Sequence, residues 1–148
     1  MKRLLLAGLV VVLAVQLVPY GRDHSNPAVR LEPSWDSAET RELVRRACFA
    51  CHSNETEWPW YSSVAPISWL VQRDVDAGRV TVNFSEWDRP QEEAMESVEA
   101  VESREMPPLQ YTVAHPEARL NFSERQQLIR GLWATLGARQ AKETRTLP

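Results

Sequence analysis

Residues 36–52 read Asp36-Ser-Ala-Glu-Thr-Arg-Glu-Leu-Val-Arg-Arg-Ala-Cys-Phe-Ala-Cys-His52, which predicts a helix that runs directly into a pair of cysteines. The carboxylate of Asp36 is suited to accept hydrogen bonds from the free N–H groups of a first helical turn. Glu39, three residues on, completes that pattern. Apolar residues spaced along one face indicate the buried side of this helix: Leu43, Ala47 and Ala50.

The last five residues of this stretch, Cys48-Phe49-Ala50-Cys51-His52, match C-x-x-C-H, the attachment motif of c-type haem. Two cysteines one helical turn apart can form thioethers with the two vinyl groups on one porphyrin edge. His52 can then bind the iron with one ring nitrogen while a carbonyl holds the other ring N–H. The motif predicts one covalently attached haem per chain.

Three other readings of the cysteine pair stay open at this point. A thioredoxin-like redox motif requires a βαβ setting, which the surrounding sequence does not show. Structural zinc requires two further ligands, and only His24 and His115 are spare histidines. A disulfide between such close neighbours would constrain the unfolded chain very little.

The second axial ligand decides between an electron carrier and a reactive haem. Met106 is the favoured candidate because Pro107 and Pro108 place it on a stiff, extended segment. His115 is a second candidate, and an open sixth site is a third possibility. Met95 fits a core role better, since it lies beside the apolar stripe of a predicted helix.

Aromatic residues follow the cysteine motif closely and suit the wall of a haem pocket, although they suit a small hydrophobic core equally well. The chain has six tryptophans. The candidates in this stretch are Trp58, Tyr61 and Trp69.

The rest of the domain also favours helices, because no stretch alternates apolar and polar residues long enough for a sheet. We expect an all-α domain of about four helices. After the first helix, a second opens at Pro66 and ends at Gly78, with Ile67, Leu70, Val71 and Val75 as its apolar stripe. A third helix covers Pro90 to Ser103, with Ala94, Val98 and Val101 on its buried side. A fourth starts at Ser123, where Gln126 completes a capping box, and ends at Gly137.

Leu4 to Tyr20 is almost continuously apolar behind Lys2 and Arg3, which predicts a short transmembrane helix or an export signal. By the positive-inside rule the rest of the chain lies outside the cytoplasm, on the periplasmic side of the cytoplasmic membrane. The expected organisation is therefore an anchor or signal at 1–20, a tether at 21–35, a haem domain at 36–136 and a flexible tail at 137–148.

Composition excludes several classes of protein. The 148 residues support one small globular domain, and a formal net charge of −3 argues against nucleic acid as a partner. With only two cysteines, a disulfide framework that connects distant loops is impossible.

Several runs of the chain resemble a bacterial family known as the haem-binding domain, a relative of the class I c-type cytochromes. They are Cys48 to Ser62 with its Trp-Pro-Trp-Tyr-Ser sequence, Ala65 to Leu70, Asn83 to Trp87, and Met106-Pro107-Pro108 followed by Tyr111, His115 and Pro116. The resemblance covers about Ser34 to Leu136 and implies an all-helical haem domain, with Tyr111 as a further pocket residue. Members often have glycine just before Glu-Met-Pro, where this chain has Arg104.

Together these features predict a membrane-tethered monohaem cytochrome c that exchanges single electrons with redox protein partners. No small-molecule substrate and no catalytic residue is expected. Two alternatives need an open or displaceable sixth site: a haem domain that serves a peroxidase, and a haem-based sensor.

Overall fold

The structure of the chain, a computed structural model, describes the backbone of residues 1–146 and the side chains of residues 1–138. This part of the chain contains only helices, turns and loops, apart from one isolated bridge between Leu31 and Glu86. The all-α prediction is confirmed. The helices are α1 (Lys2–Val15), α2 (Ala38–Ala47), α3 (Phe49–His52), α4 (Ile67–Thr81), α5 (Glu96–Glu102), α6 (Leu109–Ala114) and α7 (Phe122–Thr146), with 3-10 turns at Trp60–Ser63 and Pro116–Ala118. Short elements such as α3 and α6 raise the number of helices above the four expected.

The N-terminal helix is shorter than predicted. α1 ends at Val15, and the side chain of the C-cap residue Gln16 bonds with the domain: its Nε2 donates to the Ala65 carbonyl at 2.8 Å and its Oε1 accepts from the Ala65 N–H at 3.1 Å. A continuous helix from Leu4 to Tyr20 was therefore a wrong prediction. No helix in the described part of the chain has the length and apolar character needed to cross a membrane.

The segment predicted as a tether lies against the domain over part of its length. The N–H groups of Arg30 and Leu31 donate to the Ser85 carbonyl at 2.8 and 3.2 Å, and the Trp87 N–H donates back to Leu31 at 2.8 Å. We call residues 24–31 the strap, since they connect α1 to the domain and also form part of its packing.

Helices α2 and α7 cross at close range and carry much of the core. A Cβ atom on Gly131 would lie 2.0 Å from Thr40 Oγ1, so glycine is required where the two helices meet. The buried core comprises Leu43, Val44, Phe49, Val82, Phe84, Ala94, Val98, Val101, Leu128, Ile129, Leu132 and Leu136. Leu43, Ala47, Leu128, Leu132 and Leu136 are buried as expected, whereas Ala50 is only half-buried.

The ends of both helices differ from the prediction. Ser37, not Asp36, caps α2, because its Oγ accepts from the Thr40 N–H at 3.1 Å. The capping box of α7 is formed by Asn121 and Glu124, two residues earlier than expected, through reciprocal bonds of 2.9 and 2.8 Å. α7 continues through Gly137 to Thr146.

Helices α4 and α5 lie where the sequence predicted helices, but the buried face of α4 and the ends of both helices differ from the prediction. Ile67 and Leu70 are 46% and 53% exposed, so the predicted stripe of α4 was wrong at these positions. The buried face of α4 is instead formed by Ser68, Val75 and Gly78, and the helix continues past Gly78 to Thr81. α5 is confined to Glu96–Glu102 because residues 91–95 form turns, and its inward residues Val98 and Val101 are buried as predicted.

Candidate functional site

The cysteine motif lies where α2 ends and α3 begins. Cys48 interrupts the helix at φ −128°, and α3 follows at once as Phe49–His52. The His52 N–H donates to the Cys48 carbonyl at 2.9 Å, so the first and last residues of the motif are one helical turn apart. Gly78 of α4 packs so closely here that a Cβ atom would lie 2.5 Å from the Cys51 carbonyl oxygen. α4 therefore fixes α3 from one side.

Both thiols are free and partly buried. Burial raises the pKa of Cys48 to about 12 and that of Cys51 to about 11, so both remain S–H groups at neutral pH. A thioredoxin-like pair needs the opposite shift, because its attacking sulfur is a thiolate. Nor do the described residues include a group of three or more His, Cys, Asp or Glu side chains placed to hold a metal ion such as zinc.

The imidazole of His52 is oriented by the backbone of the segment after α4. Its Nδ1 lies 3.2 Å from the Val82 carbonyl oxygen, and a carbonyl can only accept, so Nδ1 carries the proton. Burial lowers the pKa of His52, which favours the neutral ring. Nε2 is then the nitrogen with a free lone pair, in the arrangement that metal-binding histidines use.

A buried polar network holds the segment that contains Val82. Asn83 donates from Nδ2 to Asn54 Oδ1 at 2.9 Å, and its Oδ1 accepts from the Ser85 N–H at 2.9 Å. Gln91 closes the other side, since its Oε1 accepts from the Asn83 N–H at 3.1 Å and its Nε2 donates to the Asn83 carbonyl at 3.2 Å. The network therefore fixes the residue next to the carbonyl that orients His52.

A cavity of about 540 Å³ opens beside the motif and brings three of the predicted site residues together: Cys48, His52 and Met106. Val82, Phe84 and Leu132, from three different parts of the chain, form apolar parts of its wall. Acidic side chains line another part: Glu93, Glu96, Glu99 and Glu105. The size lies within the range of about 300–1,000 Å³ that is usual for cofactor pockets. Cys51, in contrast, does not line it.

Met106 reaches this cavity because of how α5 ends. Arg104 has φ +66°, a left-handed conformation that terminates the helix and favours glycine, which accounts for the glycine common at this place in the similar family. The Met106 N–H then donates to the Ala100 carbonyl at 2.9 Å, and Arg125 donates to the Val101 and Met106 carbonyls at 2.8 and 3.3 Å. Met106 is thus held on a defined backbone at the cavity wall, whereas Met95 packs against the core and does not line the cavity.

His115 lies elsewhere, with both of its ring nitrogens engaged. Nε2 is 2.6 Å from the Tyr61 hydroxyl and Nδ1 is 2.9 Å from Glu117 Oε1. The ring of Tyr111 stacks on that of His115, with 4.4 Å between the ring centroids. Burial raises the pKa of both Tyr61 and Tyr111.

The aromatic residues predicted for the pocket do not line the cavity. Tyr61 and Tyr111 belong to the His115 cluster, and Trp58 stacks on His24 of the strap at 4.8 Å. Trp69 is partly buried, and its Nε1 has no hydrogen-bond partner. Phe84 is the aromatic residue that does line the cavity. The sequence did not predict Phe84 at this position. It predicted a carbonyl partner for the His52 ring N–H without identifying Val82 as its source, because a backbone oxygen has no signature in sequence.

Comparison with known proteins agrees with this geometry. Neither the curated proteins nor the solved structures contain a significant match to the chain. A family model described as the haem-binding domain matches residues 10–134, a range that includes the cysteine motif, the polar network and Met106. Most of the chain is covered by this match, and the chain belongs to the haem-binding domain family.

Proposed function

We propose that this chain is a monohaem c-type cytochrome that transfers single electrons, with haem held by Cys48, Cys51, His52 and Met106. The observation that carries the proposal is the single cavity lined by Cys48, His52 and Met106, which come from two regions of the chain more than 50 residues apart. Haem iron supplies the one-electron chemistry when it is bound.

The two cysteines supply the covalent attachment. Each S–H would add across one vinyl group of the haem, with formation of a C–S bond and transfer of the thiol hydrogen to the neighbouring vinyl carbon, so neither an oxidant nor a reductant would be needed. The raised thiol pKa values fit a pair that is kept as S–H groups in the folded domain.

His52 and Met106 are the side chains that would bind the iron. The bond from Nδ1 to the Val82 carbonyl holds the imidazole with Nε2 available for iron and makes it a better electron donor. A thioether from Met106 would raise the reduction potential of bound iron, and contact with the apolar side chains of Val82, Phe84 and Leu132 would act in the same direction. A closed sixth position favours electron transfer over reaction with peroxide or gases.

We place the domain on the extracytoplasmic side of the membrane. Two features support this location: the attachment of haem to C-x-x-C-H motifs outside the cytoplasm in the similar cytochromes, and the apolar segment at residues 4–15 behind Lys2 and Arg3. α1 has no buried residue, so lipid is a suitable environment for it. The partners proposed for the haem are redox proteins.

The test is the spectrum and potential of haem-loaded wild type, Met106→Ala and Met95→Ala. We expect a far-red sulfur-to-iron band in the oxidised wild type and in Met95→Ala, and its loss in Met106→Ala with haem retained. The potential of Met106→Ala should fall by something on the order of 0.1 V, within the roughly 0.8 V range that axial ligands control. Survival of the band in Met106→Ala, or rapid carbon monoxide binding by the reduced wild type, would contradict the assignment.

A further inference from the structure

We propose that the domain lies on the surface of a phospholipid bilayer through an apolar patch around the end of α1. The patch, called here the interface patch, consists of Leu17, Tyr20, Trp60, Val64, Ile67 and Leu70. The inference rests on the proposed membrane association of α1 and does not depend on haem.

The first argument is exposure. In a soluble domain, large apolar side chains at this density are unusual outside interaction surfaces. Leu17 and Trp60 are 84% and 80% exposed, and Ile67 and Leu70 are 46% and 53% exposed. Ile67 and Leu70 are also three residues apart on α4, so they share one side of that helix.

The second argument is the attachment of the chain that follows α1 beside this patch. Gln16 forms two hydrogen bonds with Ala65, which lies between Val64 and Ile67 in the chain. Five residues later, Gly21 packs on the start of α4 so tightly that a Cβ atom would lie 2.5 Å from the Ser68 carbonyl oxygen. Gly21 has φ +78°, which suits glycine. The chain leaving α1 is therefore attached along residues 65–68.

The third argument is the length of α1 compared with the thickness of a bilayer. α1 has 14 residues, or about 21 Å at 1.5 Å per residue, against roughly 30 Å of hydrocarbon in a bilayer. A helix this short can be buried in lipid only if the surface from which it emerges approaches the headgroups. That surface carries the interface patch, and it includes Tyr20 and Trp60, the residue types that favour the membrane–water boundary.

Hydroxyl-radical footprinting of the full chain in vesicles of phosphatidylcholine and phosphatidylglycerol tests the proposal. The side-chain oxidation of Tyr20 and Trp60 is compared with that of Phe122 and Trp133, which are 77% and 55% exposed on α7. α7 packs on α2 and α5, away from the patch. Co-sedimentation with the vesicles is measured in the same samples and reports on α1 separately.

The matched variants are Ile67→Asp in the patch and Val80→Asp, which is 78% exposed and about 20 Å further along α4. We expect wild type and Val80→Asp to show Tyr20 and Trp60 oxidation several-fold below that of Ile67→Asp, while Phe122 and Trp133 react equally in all three. All three should sediment with the vesicles.

Three results would overturn the proposal. Absence of wild type from the vesicle pellet would refute the membrane association of α1. Sedimentation with Tyr20 and Trp60 fully reactive would refute docking of the patch alone. Protection that disappears when the chain is diluted into excess vesicles would assign the patch to a second copy of the chain.

Discussion

At the scale of single residues, the Asn83 side chain links the fold to the candidate site. It is 2% exposed, bonds to Asn54 and Ser85, and adjoins the Val82 carbonyl that orients His52. Buried polar groups of this kind are costly to leave without partners. The position of His52 therefore depends on residues that never touch it.

Asn83→Ala should lower the free energy of unfolding by about 2–3 kcal/mol, because the Ser85 N–H and Asn54 Oδ1 lose their partner in a buried setting. Urea denaturation followed by far-UV circular dichroism measures this change. Gln110→Ala, at an exposed position of α6, is the control and should stay within about 0.5 kcal/mol of wild type. Equal stability of Asn83→Ala and wild type would show that the network does not hold this segment.

At the scale of helices and segments, two glycines in α7 offer a matched comparison. Gly131→Ala places a Cβ atom 2.0 Å from Thr40 Oγ1, whereas a Cβ atom on Gly137 meets nothing within 4 Å. We expect Gly131→Ala to destabilise the domain by about 1–3 kcal/mol through overpacking. Gly137→Ala should stabilise it by up to about 1 kcal/mol, since alanine favours helix.

Thermal denaturation of the two variants separates these effects. Opposite shifts of the melting temperature, downward for Gly131→Ala and upward for Gly137→Ala, support the close crossing of α2 and α7. Shifts of the same sign would mean that helix propensity, and not the crossing, controls both positions.

A second prediction at this scale concerns the segment between the strap and α2. Glu32 accepts from Arg41 Nε and Nη2 at 2.7 and 2.6 Å and from Trp35 Nε1 at 2.8 Å, and the hydrogen bond with Arg41 is the main reason its pKa is lowered. A carboxylate with a lowered pKa stabilises the fold above the ordinary pKa of glutamate and loses this effect as the pH falls through its lowered value.

Glu32→Gln should therefore be less stable than wild type by about 1 kcal/mol at pH 7. The difference should begin to shrink as the pH falls below the ordinary glutamate pKa and should vanish below the lowered pKa of Glu32 in the folded protein. Denaturant titrations from neutral to acidic pH measure the difference. Glu42→Gln is the control, because the Glu42–Arg45 pair is about half exposed on both sides and such pairs contribute little. A difference that persists unchanged in acid would contradict the ion-pair explanation.

Sequence patterns predicted which segments form helices more accurately than they predicted the residues at which those helices begin and end. The apolar spacing identified α2, α4, α5 and α7, but Asp36 and Ser123 were chosen as caps where Ser37 and Asn121 act. Neighbouring residues with similar capping ability compete, and tertiary contacts decide between them. Ile67 and Leu70 show a similar limit of prediction, because apolar periodicity identifies one face of a helix but does not show whether that face packs on the core.

At the scale of the whole molecule, local motifs identified part of the site and long-range contacts completed it. The spacing of Cys48, Cys51 and His52 was readable directly, and the prolines after Met106 marked a suitable ligand position. The roles of the Val82 carbonyl and of Phe84 are known only from the folded chain. A backbone oxygen, in particular, has no sequence signature that could predict its contact with His52. The aromatic wall around the haem stays a prediction: in this structure Trp58 packs on the strap, and Tyr61 bonds with His115.

The intact mass of the whole protein tests the covalent haem most directly. Wild type and a Cys48→Ala/Cys51→Ala double variant are purified from a host competent in cytochrome c maturation and compared by mass spectrometry and by haem staining of denaturing gels. Wild type should be heavier than its variant by one haem, after correction for the two substitutions, and should keep its stain through denaturation. Equal corrected masses, or haem released from wild type by the denaturant, would contradict the account.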